Sequence, residues 1–220
     1  QSNQYAPMRG LPILRQAVSR FYQHYQGIDL DPERQVLITS GATEAICAAI
    51  LALISPGDEV VVFEPMYDAY VPLIRRAGGI PRIVQLSPPH WRMTQSDLHD
   101  AFNARTKLVL LTTPNNPTTH ALTQAELRLI EHYAQRCNAY VVADEVWEQL
   151  VFDDPHLSVL HLPGLAQRSI KIGSAGKIFS LTGWKVGFVC GPAELVDQVA
   201  RAHQFITFAT PPSLQHGVAY

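Results

Sequence analysis

Hydrophobic positions along the chain alternate between two kinds of run. Residues 11–27, LPILRQAVSRFYQHYQG, carry apolar side chains at helical spacing and stop at Gly27, which predicts a helix with a glycine terminator. VLIT at 36–39 is a short continuous apolar run that reads as a buried strand, and GATEAICAAILALI at 41–54 follows as a helix closing before Ser55-Pro56-Gly57-Asp58. The alternation continues with strand 59–63, a helix over 67–77 ending at Gly78-Gly79, strand 81–86, a helix near 94–104, strand 107–112, a helix over 123–136 and strand 139–144. Two more strands are expected at 169–174 and 185–191, and 193–208 as a last helix.

Strands of continuous Val, Ile and Leu separated by helices indicate a mainly parallel sheet covered on both faces. The expected class is therefore α/β, a three-layer α/β/α domain. Gln1-Ser2-Asn3 reads as what a cleaved tag leaves behind, and residues 4–220 as one domain without internal repeat or linker. The start at Gln4 and the unterminated helical pattern of QHGVAY suggest a piece of a longer protein.

Composition narrows the function. Of the 220 residues, 47% are hydrophobic and 16% charged, enough apolar surface for one substantial core. A formal net charge of -2 gives no electrostatic footprint for nucleic acid or an anionic membrane. The longest strongly apolar run, Ala45 to Ile54, is too short to span a bilayer. Cys47, Cys137 and Cys190 are far apart and odd in number, so they read as buried, reduced thiols of a cytoplasmic protein. The nine histidines show no ligand spacing, and no metal site is expected.

In open α/β sheets ligands gather beyond the carboxyl ends of the strands. Just past successive strands stand Ser40-Gly41-Ala42-Thr43, Glu64-Pro65-Met66-Tyr67, Pro114-Asn115-Asn116-Pro117, Asp144-Glu145 and Ser174 to Lys177. Each has an ordinary reading. SGATEA is a phosphate-binding helix start or a plain one with Thr43 as cap. Asp144 bridges loops or holds a protonated ring nitrogen; Asn116 belongs to a turn or presents an amide donor; Tyr67 packs in the core or stacks on a ligand. Lys177, in SAGKIFSLTGWKVG, solubilises the surface or supplies a reactive amine.

Taken in order, YAPMRGLPILRQAV, ITSGATEAI, FEPMYDAY, TPNNPT, ADEVWEQL and SAGKIFSLTGWKVGF resemble the motifs of the class I/II aminotransferases, fold-type-I enzymes dependent on pyridoxal 5′-phosphate. The chain is similar to the large domain of methionine, kynurenine and glutamine aminotransferase-like members. The resemblance implies that Lys177 carries the cofactor as an imine and, once freed, moves a proton between the substrate Cα and the cofactor C4′. Desolvation and a neighbouring cation would keep that amine neutral and nucleophilic. It further implies a phosphate cradle of Gly41, Ala42, Thr43, Ser174 and Lys185, with Asp144 on the pyridine nitrogen, Asn116 on the ring hydroxyl and Tyr67 on the ring face. Tyr5 matches a tyrosine that reaches the phosphate of a neighbouring subunit, which implies a homodimer. The substrates implied are an amino acid and a 2-oxo acid.

Three features depart from the pattern. Trp147 stands where relatives carry a tyrosine, so no phenol is available to the ring oxygen; NNPTTH lacks the glycine that commonly follows Pro-Thr. The C-terminal small domain, with its carboxylate-binding arginine, and the N-terminal arm are missing from the 220 residues. Transamination leads; a carbon–sulfur β-lyase uses the same lysine, and the effector domain of a DNA-binding regulator shares the fold.

Overall fold

The structure is a computed structural model that describes residues 3–152 and 154–220; Gln1 and Ser2, part of the segment read as a tag remnant, lie outside the described residues. Strands form where the chain runs continuously apolar: β1 (Val36–Thr39), β2 (Glu59–Glu64), β3 (Ile80–Gln85), β4 (Thr106–Thr112), β5 (Tyr140–Asp144), β6 (Ser169–Ser174) and β7 (Gly187–Cys190). They make one sheet in the order β1-β7-β6-β5-β4-β2-β3. β7 runs antiparallel to both neighbours and every other pairing is parallel, so the sheet is mainly parallel as expected.

The helices are α1 (Pro12–Gln26), α2 (Ala42–Leu53), α3 (Tyr70–Arg76), α4 (Gln95–Ala101), α5 (Gln124–Cys137), α6 (Pro163–Ala166), α7 (Ala175–Ile178), α8 (Ala193–Ile206) and α9 (Pro212–Ala219). Alternate strand residues sort them into two layers. Val60, Val62, Leu108, Leu110, Ile170 and Ile172 pack with α2, α3 and α8. Val61, Val109, Leu111 and Val141 face the other way, toward α4, α5 and α6, while Val36, Ile38 and Phe188 on that side meet α1 and α9. Two buried faces explain why these strands lack a polar alternation.

Several boundaries differ from expectation. The helix predicted at 67–77 begins at Tyr70, because residues 67–69 form a turn closed by Tyr70 N–H to the Tyr67 carbonyl. The helix expected to reach 104 stops at Ala101, where Asn103 turns the chain by accepting from the Arg105 N–H. The last strand is shortened to 187–190 by the left-handed backbone of Lys185 (φ 52°). The helix expected over 193–208 ends at Ile206, Phe208 takes φ 65°, and a further helix, α9, starts at Pro212 beyond the expected last one. α6 and α7 have four residues each, too few for hydrophobic periodicity to register. Cys190 is buried, but Cys47 and Cys137 are only partly so, which corrects the expectation of three buried thiols. Among the described residues no helix is long and apolar enough to cross a membrane.

Beneath the sheet edge lies a charged cluster the sequence did not signal. Lys171 on β6 is fully buried; its ammonium donates to Glu145 at 2.7 Å, to Glu148, and to Gln26 at 2.9 Å, and stands 4.3 Å from the centre of the Tyr22 ring. Glu145 and Glu148 are buried as well, and His156 Nε2 lies 2.8 Å from Glu145. Burial alone would raise the Glu145 carboxyl, but Lys171 and His156 hold it down to about 2. The cluster ties α1 to the segment after β5 and fixes residues 144–148 in register. Lys171→Met leaves two carboxylates in the interior without their ammonium, and the expected loss is about 3–5 kcal/mol. Urea unfolding measures it; a variant as stable as its parent would show that Lys171 does not neutralise this cluster.

Candidate functional site

The carboxyl ends of β1, β4, β5 and β6 and the start of β7 surround one cleft. Gly41, Ala42, Thr43, Tyr67, Asn116, Asp144, Ser174, Lys177 and Lys185 all line it. Nine of the ten residues expected at a site therefore meet in one place. Tyr5, the tenth, lies outside; it is 86% exposed and packs edge-on against Phe208 at 5.5 Å between ring centres.

One end of the cleft is built for an anion. α2 begins at the cleft wall, and its N-cap is Gly41, in a positive-φ conformation (83°). Glycine has no side chain to cap with, and among the described residues no side chain caps the turn in its place. The first-turn amides and the positive end of the helix dipole thus face the cleft. Thr43 is not the cap: it is the second helical residue, with its hydroxyl 3.5 Å from Tyr67 Oη. Lys185 folds across Gly41, and Ser174 stands at the end of β6. Gly187 lets β7 come close, since a Cβ there would sit 2.6 Å from the Gly41 carbonyl carbon.

The other end is acidic and dry. Asp144 closes β5 and is 5% exposed. Its Oδ2 accepts from Tyr70 Oη at 2.6 Å and its Oδ1 from the Val146 N–H at 3.3 Å. Burial pushes the carboxyl up to about 6; the bonds from Tyr70 and Val146 oppose the rise, Glu145 adds to it, and the Lys177 ammonium across the cleft pulls it back. Burial also raises the Tyr70 phenol, and Asp144 raises it further. A carboxylate held this way is best satisfied by a cation placed in the cleft.

Between the two ends, Lys177 projects from α7 with its Nζ 4.5 Å from the centre of the Trp147 ring. Lys177 is exposed at the cleft, so the desolvation expected for its amine is absent from the chain as it stands. Asn116 is exposed at the mouth, whereas Asn115 is committed to the loop, donating to the Pro65 carbonyl and accepting from Thr118. Tyr67 meets Tyr70 edge-to-face at 5.6 Å.

Sequence reasoning missed Tyr70, the partner that orients Asp144 and that also touches Thr112 Oγ1 at 2.6 Å. Its spacing three residues after Tyr67 was the available signal, hidden because both tyrosines read equally well as core. An anion cradle, an aromatic ring, an amide, an isolated carboxylate and an amine suit a flat, phosphorylated aldehyde whose ring nitrogen is protonated. Pyridoxal 5′-phosphate has those groups.

Known proteins resemble the chain in sequence and in fold. The model of the family described as aminotransferase class I and II matches residues 1–219. A probable N-succinyldiaminopimelate aminotransferase of Mycobacterium tuberculosis is 42% identical over 220 residues, covering 99% of this chain and 55% of its own length. Kynurenine–oxoglutarate transaminase 1 of Homo sapiens is 38% identical over 229 residues, covering 99% and 54%. The solved structure of YbdL from Escherichia coli, described as having a methionine aminotransferase function, superposes with a TM-score of 0.96 at 38% identity, over 99% of this chain and 58% of that one. The chain thus spans about half the length of the curated relatives it matches. With its fold, its cleft and its relatives in accord, the chain belongs to the class I and II aminotransferases, a pyridoxal-phosphate-dependent family.

Proposed function

We propose that the protein to which this chain belongs is a transaminase, moving an amino group between an amino acid and a 2-oxo acid. The observation that carries the reading is that Lys177 and Asp144 open on the same cleft as the uncapped start of α2. Pyridoxal phosphate supplies an electron sink for the carbanion left when an amino acid loses its Cα proton, and it stores the amino group between the two half-reactions.

The residues divide the work by chemistry. The amides of Gly41, Ala42 and Thr43, with Ser174 and Lys185, hold the phosphate. Asp144, oriented by Tyr70, would keep the ring nitrogen protonated, Asn116 would donate to the ring hydroxyl, and Tyr67 would cover the ring face. Lys177 Nζ would hold the cofactor at its aldehyde carbon and, once the incoming substrate amine has displaced it from that carbon, would be free to take the proton from the substrate Cα. Trp147 packs against that amine with an apolar face and offers no acceptor.

Substrates in the range of methionine, aromatic amino acids and glutamine are proposed, because relatives named for methionine and kynurenine are 39% and 38% identical to the chain over the aligned residues. The aminotransferase names of the relatives favour transamination over β-elimination. The functional unit is proposed to be a homodimer, supported by Tyr5, which stands exposed and turned to Phe208 rather than into its own cleft. The three free thiols support a reducing, cytoplasmic setting. The domain reading, a cofactor-binding large domain over 4–220 completed by a smaller one elsewhere in the protein, is supported by the coverage of about half of each relative.

Two outcomes test this. Borohydride reduction in the presence of pyridoxal phosphate should fix the cofactor on the peptide that contains Lys177, as located by mass spectrometry, and Lys177→Ala should abolish the label; labelling of Lys185 or scattered lysines instead would sink the assignment. The second concerns pH. Because burial raises the Asp144 carboxyl from 3.8 to about 6, the cofactor-free fold favours the protonated form. The stability from this group is complete below the unfolded value and is lost as pH rises through about 6. Asp144→Asn cannot ionise, so at pH 8 the cofactor-free variant should be more stable than its parent by on the order of 3 kcal/mol, with no such gain at pH 4, while binding the cofactor more weakly. Urea unfolding at the two pH values decides; no gain at pH 8 contradicts it.

A further inference from the structure

Behind the first turn of α2 lies a buried pair that the cleft does not expose. Glu44, in that turn, is 8% exposed at its side chain, and its Oε2 accepts the Ser40 N–H at 3.1 Å. Its two carboxylate oxygens lie 3.0 and 3.1 Å from Nδ1 of His203, a fully buried residue of α8. The other ring nitrogen, Nε2, is 3.2 Å from the Met8 carbonyl oxygen, and Thr207 Oγ1 is 3.2 Å from Nδ1. Carboxylate and carbonyl oxygens only accept, and one faces each ring nitrogen. A ring N–H at Nδ1 serves the carboxylate, and one at Nε2 serves the carbonyl.

A glutamate in the first turn suits a helix by itself, and the sequence suggests nothing more. Here its charge stands on the turn whose amides face the phosphate end of the cleft, since Ser40 immediately precedes Gly41. An uncompensated carboxylate at that depth opposes a phosphate, because Coulomb repulsion is poorly screened where water is excluded.

Building on the phosphate role proposed for this turn, we infer that His203 is a positioning residue for the cradle: its ring pairs with Glu44, so that the carboxylate fixes the Ser40 amide and is held back from the phosphate. The pair also reaches the Met8 carbonyl, so the same imidazole joins the segment before α1, the turn before α2 and the end of α8.

The test compares pyridoxal 5′-phosphate with pyridoxal, which lacks only the phosphate, by quenching of tryptophan fluorescence at equilibrium. His203→Gln should weaken binding of the phosphorylated compound by about tenfold or more and leave pyridoxal within about twofold. Adding Glu44→Gln to that variant should restore most of the loss, because the unpaired charge is then gone. Equal losses for both compounds, no loss for either, or a loss that Glu44→Gln does not repair overturns the inference. Should His203→Gln fail to fold, Glu44→Gln alone decides: phosphate-compound binding as tight as the parent's or tighter supports it, and weaker binding overturns it. If the unsubstituted chain shows no preference for the phosphorylated compound, the cradle reading itself falls and takes this inference with it. A parental preference that His203→Gln leaves unchanged overturns the inference alone.

Discussion

A carboxylate at the end of a buried parallel strand, with no cation among the described residues bonded to it, is the constraint on which the cleft depends. Asp144 receives one hydrogen bond from Tyr70 and one from the Val146 amide, and burial still raises its carboxyl to about 6. A core does not place an acid there for stability, since desolvation costs several kcal/mol and the bonds recover only part of it. The strand order, the turn before Tyr70 and the charged cluster under residues 145–148 all serve to keep this group in position.

The sheet achieves that placement through alternation. Asp144 points into the cleft, while Glu145 reaches the far side and is held down to about 2, burial being outweighed by Lys171 and His156. Two adjacent acids thus have opposite surroundings, one bonded to an ammonium and one lining the cleft. Their carboxyl values diverge as such pairs do where acid–base roles are assigned. The anion end follows the same economy of parts. Gly41 supplies a helix start with no cap of its own, and Glu44, paired with His203, closes the turn from behind.

Most of the fold could be read from the chain because buried parallel strands print themselves as uninterrupted Val, Ile and Leu. VLIT, EVVVF and YVVAD lie within a residue of the strands they predict. Legibility failed where local turns override periodicity, as at Tyr67 to Ala69, or where a helix is a single turn, as at α7. The candidate site could be read because its groups follow strand ends in the order of a family's motifs, although each alone has an ordinary reading, and nine of the ten line one cleft. What escaped was the support beneath it. Tyr70, Lys171 and His203 are each an ordinary letter within a helix or strand, and only the packing of distant elements shows their partners. Lys177 illustrates the opposite case: its position was foreseen, but the expected burial of its amine was not met.

The central claim is geometric, that one ligand joins the amine of residue 177 to the acid of residue 144, and a crystal structure with pyridoxal phosphate bound tests it most directly. The account predicts continuous density from Lys177 Nζ to the C4′ atom, the ring nitrogen within hydrogen-bonding distance of the Asp144 carboxylate, and the phosphate on the Gly41–Thr43 amides. A ring bound elsewhere, or seated in the cleft with its nitrogen turned away from Asp144, would contradict it.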